Sequence, residues 1–325
     1  MDDRRTGGQP EPWRCGGLRW APEGPGWSWW QPGAPGGGGS PGGGARQGGR
    51  LVLGERVALA VPQGAERRCA GVWRAGRRLP CPQGELIAPE ARREQCAGCA
   101  ALDRTQSVAA DTVPDDPRPY TVYLAWFAPG LTKIGITAAE RGPRRLLEQG
   151  AVCFTRLGEG PLMSARRAES VLGAALGIPD RVHAPRKRAG RLRLPPREER
   201  LRELRAVHTA AHRVPGWRDT LRPAPCAPVD HAALFGLEPR PPRPTAEVTS
   251  LPPGCAIRGV LLAAAGGDLY LATGQGELLL DSRLAAGWPL IRPDPADSAD
   301  PAGPAGRLPP TTAPPPSAPP PESLF

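Results

Sequence analysis

In this chain of 325 residues, 42 glycines and 44 prolines occupy about twice the usual share of ~12%. With aromatics at only 5%, one large continuous core is not expected. The absence of a strict Gly-x-y period excludes a collagen, and no apolar run approaches the ~20 residues that span a bilayer, so no membrane partner is expected. Met1-Asp-Asp-Arg-Arg5 lacks the apolar stretch of a secretory signal, and the expected location is cytoplasmic. A net charge of +10 and a pI near 9.8 permit contact with DNA or RNA. Among 42 basic residues, however, only Lys133 and Lys187 are lysines, and there is no asparagine. This is the signature of GC-rich coding and weakens an argument from charge alone.

Residues 1–50 hold Trp13, Trp20, Trp27, Trp29 and Trp30 before a Gly-rich stretch of linker composition, and are expected to be partly disordered. The three clustered tryptophans could stack on bases, but a strand closing a small core is the more economical reading. Residues 51–118 open with an alternating stretch fit for one or two short strands. Four cysteines and a Pro-punctuated linker follow. Residues 119–180 are the most regular part. Strands are predicted at Tyr120–Phe127 and Leu131–Thr137, turning at Pro129-Gly130. A helix follows at 143–149, then a strand at 151–157 and a helix capped by Ser164 and running to Leu176. The two helices are expected on one face of the sheet. Residues 181–236 are Arg-rich, with an amphipathic helix at 196–213. Residues 237–292 suggest a small β-module of three strands, and the Pro-rich 293–325 reads as disordered.

Cys69, Cys81, Cys96 and Cys99 lie within 31 residues, and Cys96-Ala-Gly-Cys99 has the spacing that lets two thiolates share one metal. In a reducing compartment such a set favours a closed, structural zinc site. Four unconnected buried thiols and a redox dithiol are the other readings. Cys15, Cys153, Cys226 and Cys255 have no partner at metal spacing and are read as packing residues. His208 and His212 are read as an exposed pair on the helix.

Val122-Tyr-Leu-Ala125, a turn and Lys133-Ile-Gly-Ile-Thr137 resemble the paired strands of the GIY-YIG nuclease-like superfamily. The resemblance implies a β-β-α-β-α fold and a phosphodiester site: Tyr123 as base, Arg145 as phosphate clamp and Glu169 as ligand of a divalent cation, Mg²⁺ or Mn²⁺. Gln149 falls where the family keeps a polar residue. Lys133 stands in place of the second tyrosine, and the late asparagine of the family has no counterpart.

A wider pattern runs Arg67-Arg-Cys-Ala-Gly71, Cys81-Pro, Gln95-Cys-Ala-Gly-Cys99, Tyr123-Leu-Ala-Trp-Phe127, Lys133-Ile-Gly-Ile-Thr137 and Glu148-Gln-Gly-Ala151. It resembles the bacterial family called domain of unknown function 2797, over about residues 13–292. The expected fold is therefore α+β, with an N-terminal β module like a zinc ribbon, a GIY-YIG-like centre and a C-terminal β-module. The leading expectation is a zinc protein that binds nucleic acid through a degenerate site. The alternatives are an active phosphodiesterase, or a structural zinc protein that meets a protein partner through the helix at 196–213.

Overall fold

The computed structural model describes residues 12–31, 45–74, 77–105, 116–218, 221–291 and 309–315. Among them the fold is α+β, with four sheets and five α-helices.

The tryptophan-rich start forms β1 (Arg14–Ala21), β2 (Gly24–Trp30) and β3 (Ala45–Arg50), an antiparallel sheet. Trp20, Trp27 and Trp30 are buried, so these rings close a core. Trp20 packs edge-on against Phe235, with ring centroids 5.1 Å apart, and donates through Nε1 to the Gly266 carbonyl at 2.7 Å. Such a bond offsets the cost of burying the indole N–H.

Next comes β4 (Arg56–Ala60), whose partner strand, Ala256–Ala265, lies far along the chain. The cysteine segment holds the small hairpin of β5 (Val72–Arg74) and β6 (Arg77–Leu79), followed by α1 (Ala97–Thr105). Arg67, 2% exposed, fastens this segment to Arg283 and Ala286. It donates to the carbonyls of Ala88 and Ala91, both at 2.7 Å, and to those of Ala286 and Arg283 at 2.8 and 2.7 Å.

The central hairpin forms as the residue pattern dictates. β7 (Tyr120–Ala128) and β8 (Leu131–Ala138) are antiparallel, Tyr123 facing Gly135 and Ala125 facing Lys133. After α2 (Arg144–Gln149), β9 (Cys153–Gly160) adds to the other side of β7, which leaves β8 at the edge. Alternation along β7 gives the sheet two covered faces. Val122, Leu124 and Trp126 share a core with Ala165, Ala168 and Leu172 of α3 (Leu162–Leu176) and with Leu201 and Leu204 of α5 (Arg197–Arg213). Tyr123, Ala125 and Phe127 pack with Leu146 of α2, while α4 (Ala184–Arg191) also lies against β7. The two helices expected on one face thus part: α3 packs on the Val122 face, whereas α2 sets Leu146 on the Tyr123 face and otherwise meets β1 and the C-terminal sheet. α3 begins at Leu162 rather than after Ser164, with Pro161 presetting the backbone at its start. Short strands β10 (Arg222–Pro223) and β11 (Val229–Asp230) extend the sheet along β9.

The last sheet gathers β12 (Ala246–Ser250), β13 (Ala256–Ala265), β14 (Asp268–Thr273), β15 (Gly276–Asp281) and β16 (Thr311–Ala313). Its order is β16-β12-β15-β14-β13-β4. Both of its edges differ from the sequence reading. β4, expected in the cysteine module, is an edge strand here, Val57 opposite Gly259. Thr311–Ala313, within the tail expected to be disordered, pairs with β12. Each short strand finds the unpaired backbone of a sheet edge, a long-range partner that local composition does not reveal. The remaining expected disorder at 1–11, 32–44, 292–308 and 316–325 lies outside the described residues. No helix among the described residues is long and apolar enough to cross a membrane.

α4 was not anticipated, because Ala-Pro-Arg-Lys-Arg-Ala-Gly-Arg shows no apolar stripe. Its inward groups are Arg188 and Arg191, 3% and 2% exposed. Arg188 donates to Asp268 at 2.6 Å, Glu247 at 2.7 Å and Asp281 at 2.9 Å, and Arg191 donates to Asp268 at 2.6 Å. Buried guanidinium groups are tolerated when paired and hydrogen-bonded in this way.

Two further expectations are corrected. Cys226 is exposed, whereas Cys15, Cys153 and Cys255 are buried. His208 is buried rather than exposed, and its ring lies 4.4 Å from that of His212, which in turn packs edge-on against Trp217. The apolar residues Leu201, Leu204 and Ala211 of α5 belong to the main core, while Arg202, Arg205 and Thr209 stay exposed on its other side.

Candidate functional site

Two groups of chemistry-bearing residues come together. The first is Cys69, Cys81, Cys96 and Cys99, whose sulfurs all lie within 4.8 Å of one another. Among the described residues this is the only set of three or more Cys, His, Asp or Glu groups placed to share a metal. Four sulfurs at ~2.3 Å from a zinc ion sit about 3.8 Å apart, and Cys81 and Cys96 are already at 3.9 Å. The local backbone is shaped for thiolates. Gly71 and Cys96 donate backbone N–H groups to Cys69 Sγ at 3.4 and 3.2 Å, and Cys99 donates to Cys96 Sγ at 3.5 Å. Gly71 is required here: its φ is +70°, and a Cβ would collide with the Leu79 carbonyl. Burial pushes the Cys69 thiol up to about 11 and raises Cys99 as well. At Cys81 burial also acts upward, but backbone hydrogen bonds from Glu85 and Gln83 and the neighbouring thiols prevail, bringing it to about 7. Cys69 and Cys99 thus keep their protons near neutrality while Cys81 is near its midpoint, and a bound cation would draw the protons off.

The second group surrounds Tyr123. The phenol is buried in the sheet and accepts a hydrogen bond from Gln149 Nε2 at 2.9 Å. It lies across Gly135, where a Cβ would stand 2.5 Å from the hydroxyl oxygen and 3.0 Å from Lys133 Cε. The glycine of Lys133-Ile-Gly135 therefore makes room for the tyrosine, and places lysine stem and phenol side by side. Lys133 Nζ donates to the Asp180 carbonyl at 2.8 Å.

Arg145, on α2, is 45% exposed and 3.8 Å from Glu148, which also takes Arg141 at 3.0 Å and Arg144 at 3.4 Å. Glu169 is half-buried on α3. Arg145 and Glu169 both act electrostatically on Tyr123 and Lys133. Burial raises the Tyr123 phenol, opposed by Gln149 and the Arg145 charge, and Glu169 adds to the rise. Lys133 is lowered by burial and then by Arg145, with Glu169 and Asp180 opposing. Burial raises Glu169, with Lys133 pulling it down. Glu169 belongs to no set of three metal-ligating side chains among the described residues.

Lys187 was missed by sequence reasoning. Its ammonium sits 4.1 Å from the centroid of the Phe127 ring and donates to the Gln149 carbonyl at 3.0 Å. Burial, then the charges of Arg191 and Lys133, lower it to about 7. One signal was available. In a chain that otherwise uses arginine, both lysines fall at this site.

Glu148-Gln-Gly-Ala151 now has a physical account. Glu148 collects three arginines and Gln149 holds Tyr123. Gly150, at φ +68°, passes so close to Gly266 and Ala265 that a Cβ would lie 3.0–3.1 Å from their backbone and collide with Arg191. The Ala151 carbonyl meets His231 Nδ1 at 3.0 Å.

Fold and sites together define an α+β protein with a four-cysteine cluster suited to a metal and a polar cluster around one buried phenol. The family model described as "Protein of unknown function (DUF2797)" matches residues 60–290, and the chain belongs to that family. No curated protein and no solved structure matches it.

Proposed function

We propose that this is a zinc-stabilised protein that binds nucleic acid through a GIY-YIG-like module whose hydrolytic power is weak or lost. The observation carrying the reading is that Tyr123 and Lys133 lie side by side at Gly135, with the charges of Arg145 and Glu169 acting on both. Arg145 and Lys133 supply positive charge for a phosphodiester. Three features argue for weak chemistry. Lys133 adds a cation where a metal would need to bind, Glu169 is shifted toward its neutral form, and Tyr123 is raised rather than lowered. A poised general base would titrate nearer the working pH. Zinc is the metal best suited to four thiolates, and it would hold the cysteine segment together.

Anisotropy titrations of labelled DNA and RNA at two salt concentrations test the binding. Affinity should fall with salt, by a logarithmic slope of ~0.9 per neutralised duplex phosphate; no binding at low salt defeats the proposal. Zinc analysis of tag-free protein should give about one ion per chain, lost in Cys96→Ser. The second reading, an active phosphodiesterase, is favoured by the same convergence. Cleavage with Mg²⁺ or Mn²⁺ that disappears in both Glu169→Ala and Arg145→Ala would establish it over the first.

A further inference from the structure

The cations around Tyr123 outnumber the anions that could neutralise them. Lys187 faces Arg191, Lys133, Arg145 and Asp268, but Asp268 is already engaged by Arg188 and Arg191 at 2.6 Å each. Lys133 faces Arg145, Arg181, Glu169 and Asp180. Of these, Asp180 is 70% exposed and 3.7 Å from Arg181, while Glu169 is shifted toward neutrality. Both ammonium groups rest on neutral main-chain carbonyls, those of Asp180 and Gln149, rather than on carboxylates. Gathering like charges in a partly desolvated place is costly. It becomes favourable when an anion of matching charge arrives. The choice of lysine is also informative, since an ammonium is a compact point charge that suits a phosphate oxygen without imposing the planar geometry of a guanidinium.

We propose that Lys133 and Lys187, with Arg145, form a subsite for a phosphate monoester. The dianion of a monoester carries close to two negative charges at neutral pH, with a second pKa of about 6, against one for an internal diester. Three cations set around Tyr123 and Gln149 match the terminal group better. The inference rests on the nucleic-acid reading only for the larger ligand: the phosphate could terminate a nucleic-acid strand or belong to a small phosphorylated molecule.

The experiment uses the full chain and two kinds of probe. Sulfate, a dianion of constant charge, is titrated by calorimetry or thermal shift at several pH values, with inorganic phosphate and a nucleoside 5′-monophosphate beside it. Oligonucleotides of one sequence, with a 5′-phosphate or a 5′-hydroxyl, are compared by anisotropy. Sulfate affinity should fall as pH rises above about 7, where Lys187 loses its proton, by up to tenfold per pH unit. Lys187→Met and Lys133→Met should each weaken sulfate at least tenfold at pH 6.5, whereas Arg205→Gln, an exposed change on α5, should not. The phosphorylated end should bind at least tenfold more tightly than the hydroxyl end.

Oligonucleotide binding that ignores the terminal phosphate, together with pH-independent or absent sulfate binding, overturns the subsite and leaves the nucleic-acid reading standing. Sulfate and mononucleotide binding without oligonucleotide binding supports the subsite, assigns it to a small phosphorylated ligand and defeats the nucleic-acid reading. Should either lysine variant fail to fold, the wild-type pH series and the comparison of strand ends decide the matter.

Discussion

The two faces of α4 make a controlled comparison of buried charge. On one side, Arg188 and Arg191 enter the C-terminal sheet, where Glu247, Asp268 and Asp281 receive them on three adjacent strands. On the other, Lys187 reaches toward the central sheet, where it finds an aromatic face and a carbonyl. Both environments withdraw cations from water. In the first, every guanidinium meets carboxylates at hydrogen-bond distance, and Arg188 is held firmly protonated because the three acids outweigh its burial. In the second, Lys187 is driven toward its neutral form. The helix is thus anchored by the charges that are matched, and presents to the central cluster the charge that is not.

This contrast can be broken most directly at the junction. Arg188→Ala leaves Glu247, Asp268 and Asp281 close together with their shared cation gone. Removing one partner from a buried ionic network typically costs about 3–5 kcal/mol, so denaturant unfolding should show a loss of that order. A loss below about 1 kcal/mol would mean that Arg191, Arg92 and Arg283 take over the neutralisation. Asp281 is depressed despite its burial, by Arg283 and Arg188. Its contribution is present above the ordinary carboxylate range and is lost as pH falls through the lowered value.

Next in size is Gly150→Ala. The left-handed φ alone costs about 1–2 kcal/mol for an L side chain. The methyl group would also press on the backbone of Gly266 and Ala265, which cannot move aside as a side chain could. A loss of about 2 kcal/mol or more is expected in equilibrium unfolding, with a disturbed Tyr123–Gln149 hydrogen bond visible as a shifted phenol titration. An unchanged protein would mean that α2 is not locked to the C-terminal sheet at this point.

These two sites also show what the sequence could and could not convey. The hairpin was legible because Tyr120–Phe127 and Leu131–Thr137 are apolar and β-branched around a Pro-Gly turn, and such a signal is local. The cysteine set was legible because metal spacing is also local. The junction was not. Arg188 finds its partners 59, 80 and 93 residues away, and a helix that buries arginines carries no hydrophobic period to detect. The edge strands β4 and β16 escaped for the same reason, each being too short to declare a partner. Lys187 was hidden by the bias that made arginine uninformative, until that bias itself made two lysines conspicuous.

A third test separates the two charge environments by pH. Lys187 titrates near 7 in the folded chain and near 10.4 when unfolded. Between those values the unfolded state binds the extra proton, so stability should rise with pH through this window on its account, by at most about 1.4 kcal/mol per unit. Below 7 both states are protonated and the penalty of the buried ammonium is fully felt. Lys187→Met should remove that part of the slope and be most stabilising, relative to wild type, below pH 7. Parallel stability–pH curves for the two proteins would show that Lys187 is well solvated.

The smallest expected effect on stability is the one that most sharpens the distinction. Arg145 is 45% exposed, and its contact with Glu148 is a long 3.8 Å. Glu148 also holds Arg141 and Arg144, at 3.0 and 3.4 Å. An exposed ion pair of this kind contributes roughly 0–1 kcal/mol, and Arg145 also adds to the positive field that lowers Lys133. The two terms oppose each other, so Arg145→Ala should leave unfolding within about 0.5 kcal/mol of wild type. Its effect should appear in the site instead. Lys133 and Lys187 lose a repelling neighbour and should titrate higher, while the affinity for sulfate should still fall because one of the three cations is gone. Chemical-shift titration of the two lysine side chains, resolved easily in a chain with no others, measures the first effect, and sulfate calorimetry the second. A variant that is strongly destabilised with unchanged lysine titrations would place Arg145 with the structural arginines of the junction, on the other side of the comparison.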